Sequence, residues 1–114
     1  MTTSCIFCRI AAKEVPSTIV HEDDEIVAFR DLSPQAPTHV LVIPKRHIVS
    51  LDHGTENDAH LLGRLMLVAK EVAAKEGRAN GYRVVTNIGP AAGQTVLHFH
   101  LHVLGGRPMT WPPG

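Results

Sequence analysis

Aromatic residues make up only 4% of the 114-residue chain, too few for a stacking platform along a single nucleic-acid strand. Neither sign of charge is in excess, because 11 Lys and Arg balance 11 Asp and Glu. That balance argues against a broad electrostatic grip on duplex nucleic acid or an anionic membrane. Long apolar runs are missing too. The longest aliphatic stretch, Val40-Leu41-Val42-Ile43, is far short of the roughly 20 residues that cross a bilayer. The opening Met1-Thr2-Thr3-Ser4-Cys5 has neither the basic start nor the apolar stretch of a secretory signal. Two cysteines, Cys5 and Cys8, are too few and too close together to staple a small secreted fold. A reducing, cytoplasmic setting is expected. What remains is a globular balance, with 44% hydrophobic residues. It suits a single domain over residues 1–114 that buries roughly 65% of its unfolded surface. The unusual count is eight histidines, three of them within residues 98–102.

Proline and glycine mark the element ends. Ile6, Phe7, Ile10 and Ala11 form a short helical stripe within Cys5 to Lys13, closed by Pro16. Ser17 to His21 and Glu25 to Arg30 read as two short strands around an acidic turn. His39 to Ile43 is almost wholly apolar and reads as a strand buried on both faces, ended by Pro44. The clearest helix spans about Glu56 to Glu76, with Leu61, Leu65, Val68 and Val72 on one side. Thr55 suits its N-cap and Gly77 its C′ position. Tyr82 to Ile88 reads as a strand. The loop Gly89 to Thr95 then leads into a last strand from about Val96 to Leu104, and the tail after Gly105-Gly106 is irregular. Several strands with one long helix suggest an α+β domain built on an antiparallel sheet, the helix covering one face.

The informative run is His98-Phe99-His100-Leu101-His102-Val103-Leu104. Strand side chains alternate, so His98, His100 and His102 share one face, roughly 6.6 Å apart at successive Cα atoms. Phe99, Leu101 and Val103 share the other, toward the helix. Three histidines in such alternation can be exposed residues of no function, metal ligands, or nucleophiles. Neutral imidazole is abundant at pH 7 and can attack phosphorus. The preceding Gly93-Gln94-Thr95 favours the last reading, because such a loop can turn N–H groups and a hydroxyl toward an anion.

This run resembles the His-x-His-x-His-x-x signature of the histidine triad (HIT) superfamily. Phe29-Arg30-Asp31-Leu32-Ser33-Pro34-Gln35-Ala36-Pro37-Thr38-His39, Val42-Ile43-Pro44-Lys45-Arg46-His47 and the ending Gly105-Gly106-Arg107 to Trp111-Pro112-Pro113-Gly114 are similar to its Hint branch, the histidine triad nucleotide-binding proteins. The resemblance implies a HIT-like fold, with a five-stranded antiparallel sheet, one long and one short helix, and a homodimer whose sheets join into ten strands. It implies hydrolysis of nucleoside phosphoramidates, of the adenosine 5′-monophosphoramidate type, through a nucleotidyl-histidine on His100. His102 would bind phosphate oxygens, Thr95 would donate near the leaving group, and His98 would orient His100. Asp31 would hold the ribose hydroxyls, and Asn87 would bond phosphate or ribose. Gly93, Gln94, Thr95 and Val96 would cradle the phosphate, and Phe7, Ile10, Phe29 and Leu32 would form a purine slot. The Trp111 tail would reach the partner subunit's site. The expected partner molecule is a purine mononucleotide, with no nucleic acid and no membrane.

Cys5-Ile6-Phe7-Cys8 is a Cys-x2-Cys pair with zinc-compatible spacing. The resemblance adds His47 and His98 as the other ligands of a structural zinc, with no catalytic metal required. His21, His53 and His60 receive no role, and His39 is read as a buttress for its strand. Two alternatives to the hydrolase stand beside it. One is a nucleotide-sensing scaffold, distinguished by the absence of label on His100 in a single turnover. The other is a catalytic metalloprotein, distinguished by loss of activity to a chelator.

Overall fold

A computed structural model describes residues 4–114. The reading of Met1-Thr2-Thr3 as no part of a signal lies outside the described residues. In chain order these form α1 (Ile6–Ala11), β1 (Ile19–Glu22), β2 (Ile26–Arg30), β3 (Thr38–Pro44), α2 (Ala59–Lys75), β4 (Arg83–Val85) and β5 (Leu101–Gly105). Short 3-10 turns occupy Leu51–His53, Glu56–Asp58 and Pro90–Ala92. The strands make one antiparallel sheet in the order β1-β2-β3-β5-β4. Among the described residues no helix is long and apolar enough to cross a membrane.

β3 is the central strand, and all seven of its residues are buried. Its alternation divides the protein into two unlike layers. Val40 and Val42 join Ile26, Ala28, Leu101 and Val103 in the core beneath α2. Leu41 and Ile43 join Val27 and Phe29 in a second core with Phe7 and Ile10 of α1. α2 buries Leu61, Leu65, Val68 and Val72, the stripe expected of a 3.6-residue period. Its entry is a capping box. The Thr55 hydroxyl accepts from the Asn57 N–H at 3.2 Å, and the Asp58 carboxylate accepts from the Thr55 N–H at 2.8 Å. The expected first turn of the helix, from Glu56, is a 3-10 turn, and the α-helix proper begins at Ala59. Its exit uses Gly77 at φ +77°, a conformation that glycine adopts without cost.

The last strand departs most from expectation. It begins at Leu101 rather than Val96. The β3–β5 ladder stops at Val42↔Leu101. Two residues further, opposite Phe99, β3 reaches Pro44, which has no N–H to give. The Phe99 N–H turns instead to the Ile48 carbonyl, beyond the bend. β4 also ends early, at Val85↔His102, so residues 96–100 have no ladder partner on either side. The faces still alternate through this irregular stretch. Phe99 lies in the α2-side core with Leu101 and Val103, and the histidines lie on the α1 side.

Candidate functional site

The site is built on the α1 face of the sheet. His100 and His102 lie with ring centroids 4.9 Å apart, and Phe7 of α1 stands edge-on to His100 at 5.1 Å and 88°. Phe7 also meets His98 at 5.9 Å and Phe29 at 5.4 Å. His98 is fully buried and His100 nearly so, while His102 is half-buried.

Hydrogen bonds select the tautomer of each ring. His100 Nδ1–H donates to the His98 carbonyl at 2.7 Å, so its lone pair is on Nε2. The Gln35 N–H donates to His39 Nδ1 at 3.0 Å, so the His39 proton is on Nε2. That proton is donated to His102 Nδ1 at 2.9 Å, which leaves the His102 proton on Nε2. Asp31 Oδ2 lies 3.5 Å from His39 Nε2. His98 Nε2–H donates to the Pro44 carbonyl at 2.8 Å, so its Nδ1 lone pair faces the cysteines. The row therefore presents a bare nitrogen at position 100 and a donor at position 102. His39 is the residue that sequence reasoning undervalued. It fixes the state of His102, and no signal in the sequence marked it, because the contact comes from the β3–β5 register, which places His39 opposite Leu104 and diagonal to His102.

His39, His98 and His102 are held neutral. Burial, helped by the like charge of His100 and His39, pushes His102 down to about 4, against the pull of Asp31. Burial lowers His39 as well, with Asp31 opposing. Burial also takes His98 down to about 4, its bond to the Pro44 carbonyl opposing and the His47 and His100 charges assisting.

The four zinc candidates converge. Cys5 and Cys8 Sγ and the Nδ1 atoms of His47 and His98 all lie within 4.8 Å of one another. Cys5 Sγ to His98 Nδ1 is 3.3 Å, Cys8 Sγ to His47 Nδ1 3.3 Å and to His98 Nδ1 3.5 Å, and the two Nδ1 atoms are 3.2 Å apart. Zinc bonds of about 2.3 Å to sulfur and 2.0–2.1 Å to nitrogen, at tetrahedral angles, separate ligand atoms by roughly 3.3–3.8 Å. The cluster fits that ion. Burial, then the neighbouring Cys5 thiol, pushes the Cys8 thiol up to about 11, so without a cation the site disfavours the thiolate that a metal requires. A second convergence, Asp31 with His39 and His102, does not suit a metal. His39 Nε2 already carries the ring's proton, because its Nδ1 accepts from Gln35.

The proposed nucleoside contacts are placed as follows. Phe7, Ile10, Phe29 and Leu32 line one cavity of about 270 Å³, with Asp31 among its lining and Val15, Pro16, Ser17, Leu41 and Val96 completing much of the rest. Leu32 is 95% exposed, so it forms a rim and not a wall. In the loop, Gly93 has φ +92°, and the Gly93 and Gln94 N–H groups bond the Pro90 and Gly89 carbonyls. The buried Gln94 side chain braces the loop. Its oxygen accepts from the Gly89 N–H, and its amide donates to the carbonyls of Val49 and Val96. Thr95 is exposed and Val96 half-buried. Asn87 is half-buried in the segment after β4. Trp111 is 83% exposed.

These neutral imidazoles make stability depend on acid. An unfolded histidine takes up a proton near pH 6.5, whereas folded His102 and His98 resist until about pH 4. The unfolded chain therefore binds more protons between these values, and stability falls as the pH is lowered through them. Urea denaturation at a series of pH values, with chelator present, is expected to show a loss between about pH 6.5 and 4 that is shallower in His102→Gln.

The HIT domain family model matches residues 12–109. A HIT-like protein of Synechococcus elongatus is 54% identical over 114 residues, the whole of both chains. A 14 kDa zinc-binding protein of Zea mays is 53% identical over 111 residues, covering 96% of this chain and 87% of that protein. The crystal structure of a HIT family hydrolase from Legionella pneumophila superposes with TM-score 0.95 at 52% identity, covering 97% of this chain and all of the other. A HIT family hydrolase from Clostridium thermocellum gives TM-score 0.92 at 45% identity, covering 96% of each chain. With its histidine row and its five-stranded sheet, this chain belongs to the HIT domain family.

Proposed function

We propose that the chain is a nucleotide-binding hydrolase that cleaves nucleoside phosphoramidates through a covalent intermediate on His100. The observation that carries this reading is the bond from His100 Nδ1–H to the His98 carbonyl. It holds the Nε2 lone pair outward beside a ring whose proton is on its own Nε2. The names of the Legionella and Clostridium structures, both HIT family hydrolases, support hydrolysis as the reaction class.

In this reading Nε2 of His100 attacks the α-phosphorus, the N–P bond forms, and the bond from phosphorus to the leaving amine breaks with the amine taking up a proton. Water then displaces His100 and releases a nucleoside monophosphate, restoring the imidazole. His102 donates to the non-bridging phosphate oxygens, and its low affinity for a second proton keeps it a neutral donor at pH 7. Thr95 donates near the leaving group. Loop amides beyond the two engaged at Gly93 and Gln94 complete the anion's surroundings, those of Thr95 and Val96. The apolar cavity takes the purine, and Asp31 at its margin takes the ribose hydroxyls, where a carboxylate accepts two bonds. His100→Ala is expected to lower turnover of adenosine 5′-phosphoramidate by at least about 10³-fold while still binding adenosine monophosphate. A single-turnover mass measurement is expected to find the nucleotidyl group on His100; undiminished turnover in the variant would reject this nucleophile.

Cys5, Cys8, His47 and His98 would hold a structural zinc. The name of the Zea mays relative supports this. With four protein ligands the ion would supply no open position for water; its chemistry is to fix α1 and the His98 ring. Metal analysis is expected to find about one zinc per chain, lost in Cys5→Ser/Cys8→Ser together with thermal stability.

The chain also fits a homodimer, because among the described residues β4 pairs only with β5 and so offers an edge for a ten-stranded sheet, in which the Trp111 tail would be directed to the partner's site. Light scattering is expected to give twice the 12.4 kDa chain mass; a monomer at micromolar concentration would refute it.

A further inference from the structure

Beside the apolar slot one lining residue has a polar side-chain atom that nothing above uses. Ser17 lies just before β1 and lines the cavity with Phe7, Ile10 and Phe29. Its Oγ is buried and has no hydrogen-bond partner among the described residues. Buried hydroxyls are nearly always paired, and an unpaired one is destabilising. The other polar side chains of the slot are already engaged. Arg30 makes a two-pronged pair with Glu76 at 2.8 and 2.9 Å. Asp31 accepts from the Ser33 N–H at 2.7 Å and faces His39. The remaining lining is apolar, which holds a flat ring but cannot tell one ring from another of the same shape. A hydroxyl is both donor and acceptor and rotates to suit. It can therefore pair with a ring nitrogen or an exocyclic group on a heterocycle.

We propose that Ser17 Oγ hydrogen-bonds the polar edge of the purine's six-membered ring in this slot and is the residue that distinguishes a nucleobase from an apolar ring of equal size. This rests on the nucleotide-binding reading above. The orphaned hydroxyl of the free protein is then a group whose partner is the ligand. Its cost to the free protein is returned as selectivity when the base arrives.

The test compares wild type and Ser17→Ala by calorimetry with two ligands, adenosine 5′-monophosphate and benzimidazole riboside 5′-monophosphate, which keeps the ring shape but lacks the heteroatoms of the six-membered ring. Ser17→Ala is expected to weaken the adenosine ligand about tenfold, the effect of one neutral buried hydrogen bond, and to leave the benzimidazole ligand within about twofold. Its ligand-free melting temperature is expected to equal or exceed that of wild type, since an unpaired polar atom has been removed. Equal binding of the adenosine ligand by both proteins overturns the role of Ser17 and leaves the function standing. Equal losses for both ligands, or a lowered melting temperature, reduce Ser17 to packing and also overturn it. Wild type that binds neither ligand overturns the nucleotide reading itself.

Discussion

The constraint on which the rest depends is the covering of one sheet by two unlike layers. β3 is buried along its whole length, and its alternate side chains must satisfy two different neighbours. Toward α2 lies an aliphatic core of ordinary kind. Toward α1 lies a smaller apolar core that runs into the histidine row. Because side-chain direction has period two, the same strand that anchors Val103 against α2 sends His102 into the site. A one-residue slip would exchange the two and bury three imidazoles under the long helix. The core beneath α2 thus sets the register of the chemistry on the other face.

On that face, polarity is handled by locking protons in place. Each ring has one nitrogen tied down, to the Pro44 carbonyl, the His98 carbonyl or His39. At His98 and His102 burial prevents a second proton from arriving near neutrality. The result is a row of imidazoles whose donor and acceptor atoms are fixed before any ligand is present.

Much of this was legible from the residues. The alternation of histidine with Phe99, Leu101 and Val103 announced the two faces, and the stripe Leu61, Leu65, Val68 and Val72 announced the helix between its caps. The start of β5 was not legible, because it depends on Pro44 ending the partner strand, a matter of register between residues far apart in the chain. His39 looked like a buttress since its bond to His102 is made only by pairing β3 with β5. The bracing role of the Gln94 side chain was not legible, since its partners Val49 and Val96 come together only in the folded loop. Ser17 carried no functional signal; the sequence placed it at the start of a strand that in the structure begins at Ile19.

α1 is six residues long, well below the length at which a helix persists by itself in water. Its first turn is capped by the Cys5 sulfur, which accepts from the Cys8 N–H at 3.4 Å. Its Phe7 is the wall shared by His98, His100 and the slot. The Cys5 sulfur, one of the two that converge on His47 and His98, therefore also helps hold the wall of the apolar cavity. The Cys/His cluster and the shape of that cavity are mechanically one object, coupled through a helix of about a turn and a half.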